Sequence, residues 1–143
     1  HFSFKATDED YTLWFDSDKM EKICYNLLSN AFKFTPENGR IEVHLSKLLR
    51  NNEVFAQITV SDNGAGIPEN HMHSVFERFY KASRNTATGA NASTGLGLAI
   101  CKHVVERHGG SIFAYNAPGA CIEFTLPAST TMVENPTSTE QSI

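Results

Sequence analysis

Apolar and polar residues alternate from the start of the chain: Phe2, Phe4 and Ala6 are interleaved with Ser3, Lys5 and Thr7. That two-residue period predicts a half-buried strand, and a second short strand is expected at residues 11–15 after an acidic turn. The period then changes. Met20, Ile23, Leu27, Ala31 and Phe34 recur every three or four residues, which predicts a helix over residues 20–34 with one buried face. Asp16 and Asp18 both offer side-chain oxygens for its N-cap, and the pattern does not choose between them. The helix is expected to end at Thr35-Pro36, because the residue before proline is pushed out of helical geometry. Alternating stretches at 41–49 and 54–61 read as strands joined by a polar connection. Residues 62–68 are a loop by composition, and a short helical stretch is expected at 69–80. Residues 82–94 hold almost nothing apolar, and a loop that long inside a compact domain is usually functional or mobile. Leu96, Ala99, Ile100, His103, Val104 and Arg107 predict a second long helix, stopped by His108-Gly109-Gly110. A closing hairpin is expected from 112–115 and 121–126 around Pro118-Gly119.

This order of elements fits one compact domain over residues 1–127. The remainder, 128–143, is rich in Ser, Thr, Asn, Glu and Pro and reads as a linker or disordered tail. The 143 residues are 41% hydrophobic and 20% charged, the balance of a globular chain with a sizeable core. A net charge of -4 argues against non-specific nucleic-acid binding, which needs a basic excess. No apolar run is long enough to cross a bilayer, so no direct membrane contact is expected. Cys24, Cys101 and Cys121 are odd in number and set among apolar neighbours, and are read as buried free thiols in a reducing compartment.

Four clusters can carry chemistry, and each also has a plain structural reading. Lys22, Asn26, Asn30 and Lys33 form a polar stripe along the first helix. It could be a solvated face, but two asparagines one turn apart also offer hard amide oxygens to a cation such as Mg²⁺, with a lysine to offset phosphate charge. The loop DNGAGIP at 62–68 ends an apolar strand. It could be a tight turn, or Asp62 could accept hydrogen bonds from an amino group while the glycines admit a flat ligand. The segment FERFYK at 76–81 reads in isolation as aromatic core anchors. TGLGLAI at 94–100 opens a helix with paired glycines, either a plain junction or a phosphate cradle made of backbone N–H groups at the positive helix end. It is neither a P-loop nor a dinucleotide fingerprint, lacking the Gly-Lys-Ser/Thr ending of one and the preceding strand of the other.

Taken together and in this order, the clusters resemble the boxes of sensor histidine kinase catalytic domains. NLLSNAFKFTP at 26–36 looks like their asparagine box, 62–68 their first glycine box, 76–80 their phenylalanine box and 94–100 their second. His108-Gly109-Gly110 and the closing FTLP at 124–127 also match, so the similarity spans residues 2–127. The resemblance implies a two-layer α/β (α+β) sandwich: a mixed, mostly antiparallel sheet packed on helices, with a flexible ATP lid. By position it implies that Asn30 coordinates Mg²⁺, Asn26 supports the metal–phosphate site, Lys33 meets phosphate and Phe34 helps to enclose the base. Asp62 would bind the adenine amino group, with Gly64, Gly66 and Ile67 shaping that wall. Tyr80 and Lys81 would begin the lid, Lys81 reaching the terminal phosphates. Thr94, Gly95, Leu96, Gly97 and Leu98 would close around the phosphate chain. Asn26 and Lys81 would thus be catalytic, ATP and Mg²⁺ the cofactors. The activity implied is transfer of the γ-phosphoryl group to a histidine on a separate phosphoacceptor and dimerisation domain of the same parent, with a response-regulator receiver downstream. A cytoplasmic location is implied, one compatible with a parent sensor anchored in a membrane.

The chain departs from the pattern at Ser93, where glycine is common, and in a shortened 118–122 hairpin, which leaves the last strand's register open and suggests no ligand contact. The acceptor motif, histidine followed by an acidic residue in a helical hairpin, is absent. His71 and His73 read as surface residues. Related gyrase-type and chaperone ATPases place a glutamate, as general base, four residues before the metal-binding asparagine. Here that position is Asn26, and one turn earlier stands Lys22, while Glu21 points about 100° away round the helix. Hydrolysis is therefore disfavoured, and a non-catalytic nucleotide-binding module is the other alternative.

Overall fold

The computed structural model describes residues 1–7, 16–78 and 97–128. Strand β1 (Phe2–Ala6) is followed by helix α1 (Ser17–Phe34), strands β2 (Ile41–Arg50) and β3 (Glu53–Asp62), and a 3₁₀ helix (Glu69–Ser74). Helix α2 (Gly97–Arg107) and strands β4 (Ser111–Asn116) and β5 (Ala120–Pro127) complete the described fold. The strand expected at 11–15, the tail from 129 and the lid lie outside these residues.

The strands form one mixed sheet in the order β1-β2-β3-β5-β4, with β1 parallel to β2 and every other pair antiparallel. Its register puts Ile41 opposite Asp62, Val43 opposite Val60 and Ile112 opposite Phe124. Because cross-strand partners share a face, buried Ile41, Val60, Ile112, Phe124 and Leu126 form one apolar surface. Both helices lie against it, Ile23, Leu27 and Ala31 of α1 and Cys101, Val104 and Val105 of α2 filling the core. The expected two-layer sandwich is thus observed, and Asp62, on that same apolar face, is brought to the edge of the helix layer.

Local chemistry explains the element ends. Asp16 is the N-cap of α1: its Oδ1 accepts from the backbone N–H of Asp18 at 2.9 Å and of Lys19 at 3.4 Å. At the other end Thr35 is extended (φ -95°, ψ 129°), as a residue before proline must be. Helix α2 stops in a Schellman motif, Gly110 N–H donating to the Val105 carbonyl at 3.0 Å and Gly109 N–H to that of Glu106 at 3.1 Å. The open hairpin register resolves as Tyr115 opposite Cys121 and Asn116 opposite Ala120.

Four expectations need correction. Cys24 is exposed, unlike Cys101 and Cys121, because it follows Ile23 by 100° and so leaves the buried stripe. Phe34 is 49% exposed, at the helix end where the sheet no longer lies beneath it. The segment after residue 68 is a single 3₁₀ helix over Glu69–Ser74 with no side-chain cap, closed by i+3 bonds such as His71 N–H to the Pro68 carbonyl at 2.8 Å. In α2 the buried set is Cys101, Val104 and Val105, with Leu98 beside it, whereas Ile100 and His103 face outward.

Candidate functional site

The polar stripe of α1 divides as its spacing suggests. Asn26, Asn30 and Lys33 are half-buried, and Lys22, a turn earlier, is exposed. Asn26 is fixed by α2: a Cβ placed on Gly97 would lie 3.3 Å from Asn26 Oδ1, so the amide sits directly against the first residue of that helix. The buried Cys101 thiol, one turn on from Gly97, donates to the Ile23 carbonyl at 4.0 Å, and Asn26 beside it favours the thiolate. Burial pushes this thiol up to about 12, outweighing the Asn26 hydrogen bond, so it stays protonated at neutral pH. Asn26, Gly97 and Leu98 are therefore neighbours, and the N–H groups opening α2 face the same region.

At the far end of the stripe, about 12 Å along the axis from Asn26 at 1.5 Å per residue, α1 meets the loop after β3. Asp62 is 8% exposed. Its Oδ1 accepts from Gly64 N–H at 2.8 Å and from Ala120 N–H at 3.3 Å. Both of these bonds end on Oδ1. A Cβ on Gly64 would lie 2.6 Å from the Phe34 carbonyl oxygen, so the loop packs against the end of α1 and joins Phe34, Asp62 and Gly64. Gly66 adopts φ +83°, a left-handed geometry that disfavours other residues, and turns the loop towards Ile67.

The hairpin between β4 and β5, from which no ligand contact was expected, packs against the loop after β3. A Cβ on Gly119 would strike the Asp62 carbonyl and lie 2.7 Å from both Asp62 Oδ1 and Gly64 N, so only glycine fits there. The Asn116 amide pairs with Ile67 in both directions: Ile67 N–H donates to Oδ1 and Nδ2 donates to the Ile67 carbonyl, each at 2.8 Å. Neither contact has a motif to announce it. An asparagine before Ala-Pro-Gly reads as ordinary turn chemistry, and its partner is 49 residues away.

Phe76 is half-buried against the core with Lys102 Nζ 5.8 Å from its ring centroid, as an aromatic anchor should be. Tyr80, Lys81, Thr94, Gly95 and Leu96 lie outside the described residues. No group of three or more His, Cys, Asp or Glu side chains is placed to hold a metal among the described residues. The donors on offer are the amide oxygens of Asn26 and Asn30, hard ligands that fit Mg²⁺ when phosphate oxygens fill out its shell. Along α1 the order is thus Asn26 beside Gly97, then half-buried Asn30 and Lys33, then Phe34 against Gly64 and the Asp62 loop.

Residues 15–130 match the profile of the histidine kinase-, DNA gyrase B- and HSP90-like ATPase family. Sensor histidine kinase TmoS of Ectopseudomonas mendocina is 48% identical over 114 residues, covering 78% of this chain and 11% of TmoS. The mycobacterial sensor histidine kinase MprB superposes with a TM-score of 0.74 at 33% identity, over 89% of this chain and 84% of that one. Histidine kinase ThkA, solved with the response regulator protein TrrA, superposes with a TM-score of 0.71 at 27% identity, over 90% of this chain and 34% of the other. No helix among the described residues is long and apolar enough to cross a membrane.

Proposed function

This chain belongs to the histidine kinase-, DNA gyrase B- and HSP90-like ATPase family, as a sensor histidine kinase catalytic and ATP-binding domain, and we propose that it binds Mg·ATP and passes the γ-phosphoryl group to a histidine on a separate acceptor domain of its parent. The observation that carries this reading is the line of contacts along α1, which we read as a trough, with Asn26 against Gly97 at one end and Asp62 bonded to Gly64 and Ala120 at the other. Asp62 Oδ2 receives the adenine amino group and Phe34 covers the base. Lys33 and the N–H groups opening α2 neutralise phosphate charge. Asn30, supported by Asn26, holds Mg²⁺, which when bound screens the phosphate oxygens. Tyr80 and Lys81 begin the lid, and Thr94, Gly95, Leu96, Gly97 and Leu98 enclose the phosphates, with Lys81 at the terminal one.

In the transfer, the acceptor imidazole forms a bond to the γ-phosphorus while the bond to the β-phosphate oxygen breaks and ADP departs. The catalytic domain contributes positioning and charge stabilisation. The parent's dimerisation domain supplies the histidine, a receiver domain takes the phosphoryl group on, and the work is cytoplasmic. Calorimetric titration with ATP, with and without Mg²⁺, followed by incubation with γ-labelled ATP and the parent's acceptor domain, tests the proposal. Saturable Mg-dependent binding and label on the acceptor histidine are expected. Binding without transfer would make the domain a nucleotide-sensing module, and no binding would end the proposal.

A further inference from the structure

We propose that Asn116 is a positioning residue of the nucleotide site, holding the wall at Gly64–Ile67 in its ligand-ready form; this rests on the nucleotide reading above. The loop after β3 has few constraints of its own, since its glycines favour many backbone conformations. Asn63 ties its start to Arg40, accepting the Arg40 N–H on Oδ1 at 2.7 Å, and the 116–120 hairpin holds the loop at three further points. The Asn116 amide stands in for a peptide unit, giving and receiving one 2.8 Å bond with Ile67. Gly119 lies flat on the Asp62 backbone, and Ala120 N–H reaches Asp62 Oδ1 at 3.3 Å. A Cβ on Gly66 would lie 2.9 Å from Asn116 Oδ1, so the amide also packs on the loop's turning point.

Asn116 is exposed and has no apolar role, which separates its effect from core stability. A loop released from this pair spends less time in the competent form, and apparent affinity falls by the same fraction. Only asparagine's short amide combines the acceptor needed by the Ile67 N–H with the donor needed by its carbonyl. Aspartate keeps the acceptor but sets oxygen against oxygen at the second bond.

The test compares wild type with Asn116→Ala and Asn116→Asp. Displacement of a fluorescent nucleotide by Mg·ATP and by Mg·tripolyphosphate, which has no base, is measured beside hydrogen exchange of the Ile67 amide. Both variants should lose about three- to tenfold in ATP affinity, the worth of one modest hydrogen-bond pair, while tripolyphosphate competes as before. Exchange at Ile67 should quicken in Asn116→Ala, with core amides of β3 and β5 unchanged. Equal losses for both ligands would make Asn116 a general structural residue and overturn the proposal, as would an unaltered ATP affinity. A wild-type domain that binds no ATP overturns both readings, whereas a wild-type domain that binds it beside unaltered variants overturns this one alone.

Discussion

On the proposed reading Asp62 divides its work: Oδ1 holds the loop through Gly64 and Ala120, and Oδ2 would take the ligand. An ionised carboxylate only accepts, so it suits the amino group of adenine and opposes the carbonyl of guanine. Leaving that carbonyl unpaired costs about 1–3 kcal/mol, enough for a preference of roughly tenfold or more. Asp62→Asn should weaken ATP binding and narrow the gap to GTP, because an amide can present either a donor or an acceptor. Calorimetry of both proteins with both nucleotides checks this; equal ATP affinity in a folded variant would leave Asp62 only its loop-holding role. Thr35 tests the opposite case, a polar group without use. Its hydroxyl is buried with no hydrogen-bond partner among the described residues, while its backbone N–H already caps α1 through the Ala31 carbonyl at 3.0 Å. Thr35→Val keeps the shape and removes the orphan, so thermal unfolding should show a neutral or stabilising change of up to about 1 kcal/mol. A clear loss would mean that the hydroxyl finds a partner in solution.

Among the elements, β1 has the lightest attachment, a parallel strand at the sheet edge with Phe2 49% and Phe4 59% exposed. It is fastened by its ladder to β2, by stacking of Phe2 on Phe32 at 6.3 Å between centroids, and by the Lys5–Glu42 ion pair at 2.9 Å. The Lys5 hydrogen bond and charge hold the Glu42 carboxyl below its ordinary 4.5. A depressed folded value contributes stability above the unfolded pKa and loses it as pH falls through the folded one. Lys5→Met should therefore lower stability slightly near neutrality, and denaturant titrations should show the gap closing as pH falls through the lowered Glu42 value, or in high salt. A gap that persists in acid would assign the effect to the lysine's methylene stem. These attachments also mark what the sequence could tell. The helix over Met20 to Phe34 and the Gly109-Gly110 stop were legible because period and cap chemistry are local. So was the placing of Asn26 and Asn30 on one half-buried stripe of α1. The Asn116–Ile67 clamp and the Gly119 contact were not, because they join segments far apart in the chain through backbone atoms that carry no sequence signal. Exposure of Cys24 was missed because apolar neighbours say nothing of which way a helix is turned.

For the whole molecule the open issue is where the γ-phosphoryl group goes, to water or to a side chain. Hydrolysis needs a base within reach of the attacking water. The family's ATPases keep a glutamate four residues before the metal-binding asparagine, and here that place is filled by Asn26, held between Gly97 and Cys101. Lys22 and Glu21, the next charged groups towards the start of α1, are both exposed, so neither carboxylate nor amine enters the trough from that side. A histidine acceptor needs no such base from this domain, because the imidazole brings its own lone pair. The domain alone should therefore hold Mg·ATP with phosphate release close to the buffer blank, and the γ-phosphoryl group should move only when an acceptor domain is added. Ligand-linked stabilisation supplies the control for occupancy: at a hundredfold excess over Kd, bound ATP should raise stability by about 2.7 kcal/mol, seen as a shift in Tm. Occupancy with no phosphate release fits a transferase whose second half lies elsewhere in the parent. Sustained release of phosphate by the saturated domain, abolished by Asp62→Asn, would instead make it an ATPase with a base outside α1.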